Sequence, residues 1–172
     1  MTSTSPATAT ERDDLLAILA KHRGFLRQTV DGLSDDQARE RSTVSALCLG
    51  GLIKHVTRVE SRWARFVVEG PSAMAMDEAS YADHAASFEL LPDETLAGVL
   101  AEYDEVAQRT DELVRAVASF DESHPLPEAP WFEQGARWSN RRVFVHIAAE
   151  TAQHSGHADI IREAIDGSKT MG

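Results

Sequence analysis

At 172 residues the chain has room for one domain rather than two, and with 42% hydrophobic residues it can bury a core. Its 17 basic against 28 acidic side chains leave a net charge of −11, which argues against a nucleic-acid binder and against a polybasic membrane contact, since both need a cationic face. A single cysteine, Cys48, excludes an internal disulfide and any multi-cysteine metal site, and no apolar run approaches the roughly 20 residues that span a bilayer.

Residues 1–10 are mostly Ser, Thr, Ala and Pro and read as a disordered tail. They carry neither the basic nor the apolar segment of a secretory signal, so the expected compartment is the cytoplasm. Residues 11–172 are expected to fold as one unit. The first helix is predicted from Glu11 to Val30, with Thr10 as its cap, Asp13 completing a capping box and Gly32 stopping it. Ser34-Asp35-Asp36-Gln37 repeats the capping pattern and predicts a brief helical turn. A second helix is expected over about 45–69, ending at Gly70-Pro71; a third follows Pro92-Asp93 to about Phe120; a fourth starts at Ser139 or Asn140 and stops at Asp166-Gly167. Long connections cover roughly 71–92 and 121–138, the latter made irregular by Pro125, Pro127, Pro130 and Gly135. No sustained period-2 pattern exists. Four long amphipathic segments predict an all-α four-helix bundle, in which the long connection over 71–92, between helices two and three, allows those two to run parallel.

The chemistry lies in the apolar stripes. On the second helix the stripe reads Cys48, Leu52, His55, Val59, Trp63, Phe66; on the fourth it reads Val143, Ile147, Glu150, His154, Ala158, Ile161, Ile165. His55, Glu150 and His154 stand at positions where a bundle expects aliphatic side chains. A buried carboxylate is costly unless a cation, a hydrogen-bond network or a metal compensates it. Glu150 and His154 are four apart and project side by side, and His55 faces the same core. Two imidazoles and one carboxylate suit Zn²⁺, and also Ni, Fe or Mn, and three protein ligands leave a coordination position open for chemistry. The alternative for Glu150 and His154 is an ordinary ion pair.

Other polar residues divide between roles. His146 completes an i, i+4, i+8 series with Glu150 and His154, but lies off the stripe and about 12 Å from His154 along the axis, so it reads as a neighbour of the site or a pocket wall. His157 flanks the stripe and is a candidate general base or substrate contact, or else a solvent-facing residue beside Asp159. Arg141 and Arg142 open the fourth helix and can point at an anionic ligand. Trp131, Phe132 and Trp138 can line a pocket mouth or close the end of the bundle. Gly50-Gly51 allows a close helix approach or a kink. Cys48 reads as a small buried hydrophobe rather than a nucleophile. Lys54, Arg58, Arg62 and Arg65 read as a solvated face, and His22, His84 and His124 as surface or loop residues.

The run from Leu49 to Glu60, LGGLIKHVTRVE, resembles the second-helix motif of the DinB-like superfamily. The run from Glu150 to Asp159, ETAQHSGHAD, followed by Arg162-Glu163 and Asp166-Gly167, resembles the fourth-helix signature of its actinobacterial branch, which includes mycothiol-dependent transferases and is related to mycothiol-dependent maleylpyruvate isomerase. The resemblance spans about residues 11–167. It implies an up-down-down-up bundle, often homodimeric, and the apolar Phe144 and Val145 suit a dimer face. It also implies a divalent metal held at positions matching His55, Glu150 and His154, with Glu150 where many members carry His. Transfer of a low-molecular-weight thiol such as mycothiol, bacillithiol or glutathione to an electrophile is the activity it implies. A free thiol is mostly protonated at neutral pH and is deprotonated on a dication, so no protein cysteine is required. Arg141, Arg142 or His157 would meet acidic groups of thiol or substrate, with His157 and Arg141 as candidate catalytic groups. Two other classes use the same residues: a hydrolase with metal-bound water, and a non-catalytic metal-binding stress protein.

Overall fold

The computed structural model describes residues 10–75, 86–130 and 132–170. Helix α1 (Glu11–Gln28) begins at Thr10, whose hydroxyl accepts from the Asp13 amide while the Asp13 carboxylate accepts from the Thr10 amide. Glu11, Asp13 and Asp14 sit in its first turn and Arg27 in its last, matching the helix dipole. The same reciprocal cap, Ser34 with Gln37, starts the short α2 (Asp35–Arg39). Helix α3 (Leu49–Glu69) starts four residues later than the pattern predicts, because Thr43 and Ser45 tie their hydroxyls to nearby amides in the preceding loop. It ends at Gly70, whose positive φ of 63° leads into a 3₁₀ turn, Gly70–Met74, containing Pro71.

Helix α4 (Leu96–Ala116) is capped by Thr95 and stops short of the expected Phe120. The connection that follows is not wholly irregular: β1 (Ser123–Pro125) and β2 (Arg137–Ser139) pair antiparallel, with Ser123 opposite Ser139. Two three-residue strands are too short to show a period in the sequence. The hairpin leads directly into α5 (Asn140–Asp166), which is capped by Ser139 and closed by Gly167 in the left-handed conformation at φ 80°.

Cross-chain contacts give the helix directions. Arg12 donates to the Val114 and Val117 carbonyls at the end of α4, whereas Arg27 pairs with Asp104 nearer its start, so α1 and α4 run antiparallel. Arg141 pairs with Glu11, Ser155 donates to the His22 carbonyl and Arg162 to that of Thr29, so α1 and α5 run parallel. His55 meets His154 and Trp63 meets His146, so α3 and α5 run antiparallel. Helices α3 and α4 therefore point the same way. Among the described residues no helix is long and apolar enough to cross a membrane.

The core is two apolar clusters with a polar layer between them. One holds Leu26, Leu52, Ile53, Val56, Tyr103 and Ile161; the other holds Leu19, Trp63, Phe66, Val114, Phe144 and Ile147. Each long helix passes from one cluster to the other through buried polar residues: Arg23 on α1, Thr57 and Glu60 on α3, Thr110 on α4, Thr151 and Ser155 on α5. Arg23 grips Glu60 at 2.5 Å and Asp111 at 2.7 Å. The three hydroxyls of Thr57, Thr110 and Thr151 donate to carbonyls four residues back. Phe144, expected on a dimer face, is fully buried within the protomer; Val145 is exposed.

Candidate metal centre

The first half of α3 is buried all round. Residues Leu49 to Thr57 are covered by α4 and α5 and, on a further side, by the segment Ser87–Leu90. Gly50-Gly51 makes that cover possible. A Cβ on Gly51 would overlap the Phe88 carbonyl and lie 2.8 Å from the Glu89 amide nitrogen, and one on Gly50 would meet Leu90 at 2.8 Å. The glycine pair thus serves close approach. Full burial also overturns the expected solvated face: Lys54 is 3% exposed and pairs with Glu94 at 2.6 Å. Arg62 donates to the Met74 carbonyl, and of the four basic residues Arg65 alone is exposed, paired with Glu69.

One turn after Gly51, the buried His55 ring stacks on Phe88 with centroids 4.0 Å apart, and its Nδ1 lies 3.1 Å from the Ser87 hydroxyl. The ring also meets that of His154, at 4.9 Å and nearly perpendicular. From α5, Glu150 completes the group. One ligand atom from each of His55, Glu150 and His154 lies within 4.8 Å of the others.

The stripe on α5 is rotated from the one the sequence suggests. Its buried line runs Ile147, Thr151, Ser155, Ala158, while Glu150 and His154 lie along its edge. The Glu150 side chain is 28% exposed, so its desolvation is milder than a core position would impose. Back-bonded Thr151 and Ser155 can occupy the central line because their hydroxyls are satisfied within the helix.

Glu150 stands between two histidines. Its Oε2 is 3.7 Å from His154 Nε2 and its Oε1 is 3.7 Å from His146 Nε2, both beyond hydrogen-bond length. Burial holds both imidazoles below the ordinary histidine range, with Glu150 pulling the other way, so at neutral pH both favour the neutral form. Neutral rings do not make the ordinary ion pair; they offer lone pairs. His154 Nδ1 is buried without a hydrogen-bond partner. An unpartnered buried nitrogen, a carboxylate that receives no close donor from either histidine, and a second imidazole within 4.8 Å fit a divalent cation. Bonds of about 2.0–2.2 Å around such an ion require the donors to draw together by roughly an ångström.

The remaining candidates are distributed around this group. His157 is exposed, its ring 5.5 Å from that of His154. The Arg141 guanidinium is engaged by Glu11 and Asp121, at a helix position about 13 Å along the axis from Glu150. Arg142 lies 4.6 Å over the Trp138 ring and depresses the neighbouring His146 electrostatically. Trp138 stacks on Trp63 at 4.6 Å, and His146 meets both indoles edge-on, forming a wall beside Glu150. Phe132 packs edge-on against the same two indoles. Trp131 and His84 lie outside the described residues. His124 is half-buried, its Nε2 3.2 Å from the Val67 carbonyl, and Cys48 is buried at the start of α3.

Ser87 and Phe88 are absent from the reading of the sequence, which treats residues 71–92 as one undivided connection. The one signal pointing to them is Gly50-Gly51, a turn ahead of His55, which announces close packing without saying by what. A family model described as mycothiol-S-transferase matches residues 14–167. No curated protein matches the chain.

Proposed function

The chain belongs to the mycothiol-S-transferase family, a DinB-like family, and from that premise we propose that it is a cytoplasmic, divalent-metal-dependent enzyme that transfers a mycothiol-like thiol to an electrophilic small molecule. The observation carrying this reading is the convergence of His55, Glu150 and His154 from two antiparallel helices, with one buried nitrogen left unpartnered. A dication there, zinc first and Ni, Fe or Mn as alternatives, would lower the pKa of a coordinated thiol from near 8.5 so that the thiolate is available at neutral pH. The chain's own residues supply the rest. His55 and His154 contribute neutral donors and Glu150 a negative charge, and three ligands leave room for a fourth. Arg142, over the Trp138 ring, offers a cation for acidic groups of thiol or substrate, and His157 stands at the exposed edge. Arg141 would have to leave Glu11 and Asp121 to reach a ligand. Cys48, 3% exposed, has no access to an electrophile.

The test is turnover of zinc-loaded protein with a panel of electrophiles, with and without mycothiol, bacillithiol or glutathione. Conjugation that requires added thiol and disappears in His55→Ala supports the proposal. Thiol-independent turnover would favour a hydrolase, and metal binding without turnover a non-catalytic protein. With Phe144 accounted for inside the protomer, the homodimer rests on the family and on the exposed Val145; a monomeric mass by light scattering at micromolar concentration would remove it.

A further inference from the structure

We propose that the outward face of α5 is a self-pairing surface, on which a second copy of this chain packs its own α5 antiparallel, with the two-fold axis passing between Ala152 and Gln153. That a homodimer exists belongs to the reading above, on which this inference rests; its surface, direction and register come from the pattern and exposure of one helix.

Helix α5 buries the line Ile147, Thr151, Ser155, Ala158. Its opposite face is symmetric about the Ala152–Gln153 bond. Counted outward from there, steps of three, four and three reach Ala149, Val145 and Arg142 in one direction and Gly156, Ile160 and Glu163 in the other. Steps of three and four keep all of them on one side of the helix. All six are exposed, and Val145 at 52% and Ile160 at 64% hold out aliphatic side chains that nothing in the protomer covers. Turned end for end, this face meets its own complement: Ala149 opposite Gly156, Val145 opposite Ile160, Arg142 opposite Glu163, each pair made twice. That is the isologous condition of a two-fold interface, in which one residue contacts a second and the second contacts the first. A partner of different sequence would gain nothing from the symmetry.

Packing and charge both fit a second copy. A Cβ at Gly156 would meet nothing within 4 Å, so no contact inside the protomer accounts for a glycine in mid-helix, where it costs backbone entropy. Opposite the partner's Ala149 it lets two helix backbones approach closely. Copies of a chain with net charge −11 repel one another, so a self-pairing face has to be locally neutral or complementary. This one carries a single cation, Arg142, at one end and a single anion, Glu163, at the other, which antiparallel pairing brings together. Within the protomer Arg142 lies over the Trp138 ring and Glu163 stands 3.8 Å from the Lys169 Nζ, beyond hydrogen-bond length, so both charges can serve a partner. Helix α1 runs parallel beside α5 and widens the contact. Two such helices side by side offer a strip about 31 Å by 20 Å, or about 600 Å² per partner, the lower bound for a specific interface. Glu150 and His154 lie on the edge of α5 turned toward His55 on α3, clear of this face.

The experiment is analytical ultracentrifugation of the full-length protein, read as the dimer dissociation constant. Ile160→Glu sets a carboxylate against the partner's Val145 at both ends of the contact and is expected to raise that constant at least about 100-fold. Arg142→Glu and Glu163→Arg, made singly, each put like charges opposite one another and are expected to raise it about tenfold, whereas the two together restore it to within about threefold of wild type. Recovery in the double variant is the result that a merely local disturbance would not give. A wild type that stays monomeric up to millimolar concentration removes the homodimer and this inference with it, and leaves the face to a different partner. A dimer unmoved by Ile160→Glu, or weakened by the charge exchange as much as by either single change, refutes this inference and leaves the homodimer standing. All three side chains are exposed in the protomer, so circular dichroism is expected to show an unchanged fold; should Ile160→Glu fail to fold, the charge exchange decides alone.

Discussion

Gly51→Ala is the substitution whose consequences can be followed furthest from the structure. The added methyl overlaps the Phe88 carbonyl and sits 2.8 Å from the Glu89 nitrogen, where ordinary contact begins at 3.4 Å. Both are backbone atoms, so no rotamer change relieves the clash; the overlap with the Phe88 carbonyl forces the segment to retreat by about 1 Å or more. A rigid retreat of that size stretches the 3.1 Å His55–Ser87 hydrogen bond past the 3.5 Å at which such bonds are lost. Overpacking of this kind costs about 1–3 kcal/mol, or about 2–12 °C of melting temperature for a chain of this length. Metal affinity should fall about 10–100-fold as His55 loses the Ser87 hydroxyl. Gly24→Ala is the matched control: it lies on an exposed face of α1 with nothing within 4 Å of the new methyl, and should stabilise by about 0.5–1 kcal/mol. The assays are differential scanning calorimetry and Zn²⁺ competition titration. If Gly51→Ala melts at or above the wild-type temperature and binds Zn²⁺ equally well, the close approach does not hold the segment and the reasoning fails.

Glu150→Gln keeps the shape and removes the charge, so zinc affinity should drop at least about tenfold, or 1.4 kcal/mol, while His146→Ala retains the metal; elemental analysis showing the reverse would mean that Glu150 and His154 are the wrong pair on α5. Glu60→Gln leaves Arg23, 6% exposed, with only Asp111 as a charged partner; urea unfolding should show a loss of about 3–5 kcal/mol, and a loss under 1 kcal/mol would refute the buried pair. The Asp166 carboxyl is pulled down to about 2 by Arg162, with help from the Ser168 amide. A carboxyl lowered on folding contributes stability above its unfolded value near 3.8, and that contribution is lost as pH falls through about 2. Carboxyl ¹³C NMR should find the midpoint near 2 and see it rise toward 3.8 in Arg162→Ala.

The features that the residues dictate without their neighbours are local. Caps such as Thr10 with Asp13 and Ser34 with Gln37 satisfy amides within three residues, and Gly167 needs only its own φ, so helix ends are legible without knowing the neighbours. The i, i+4 spacing that sets Glu150 beside His154 belongs to any α-helix, and membership of a helical bundle follows from four amphipathic segments. Tertiary structure decided which face of each helix is covered, and by what. Lys54 looked solvated because its neighbours in sequence are basic, yet Glu94 and the Glu89 carbonyl bury it from the far side of the long connection. Arg141 looked free for a ligand, but Glu11, 130 residues away, already occupies it. The line of α5 turned toward Thr151 and Ser155 because hydroxyls that bond their own helix can face a core, whereas a carboxylate is held at its edge. Ser87 acquires its relation to His55 only where a glycine lets one backbone lie against another, a contact between distant segments that no local pattern encodes.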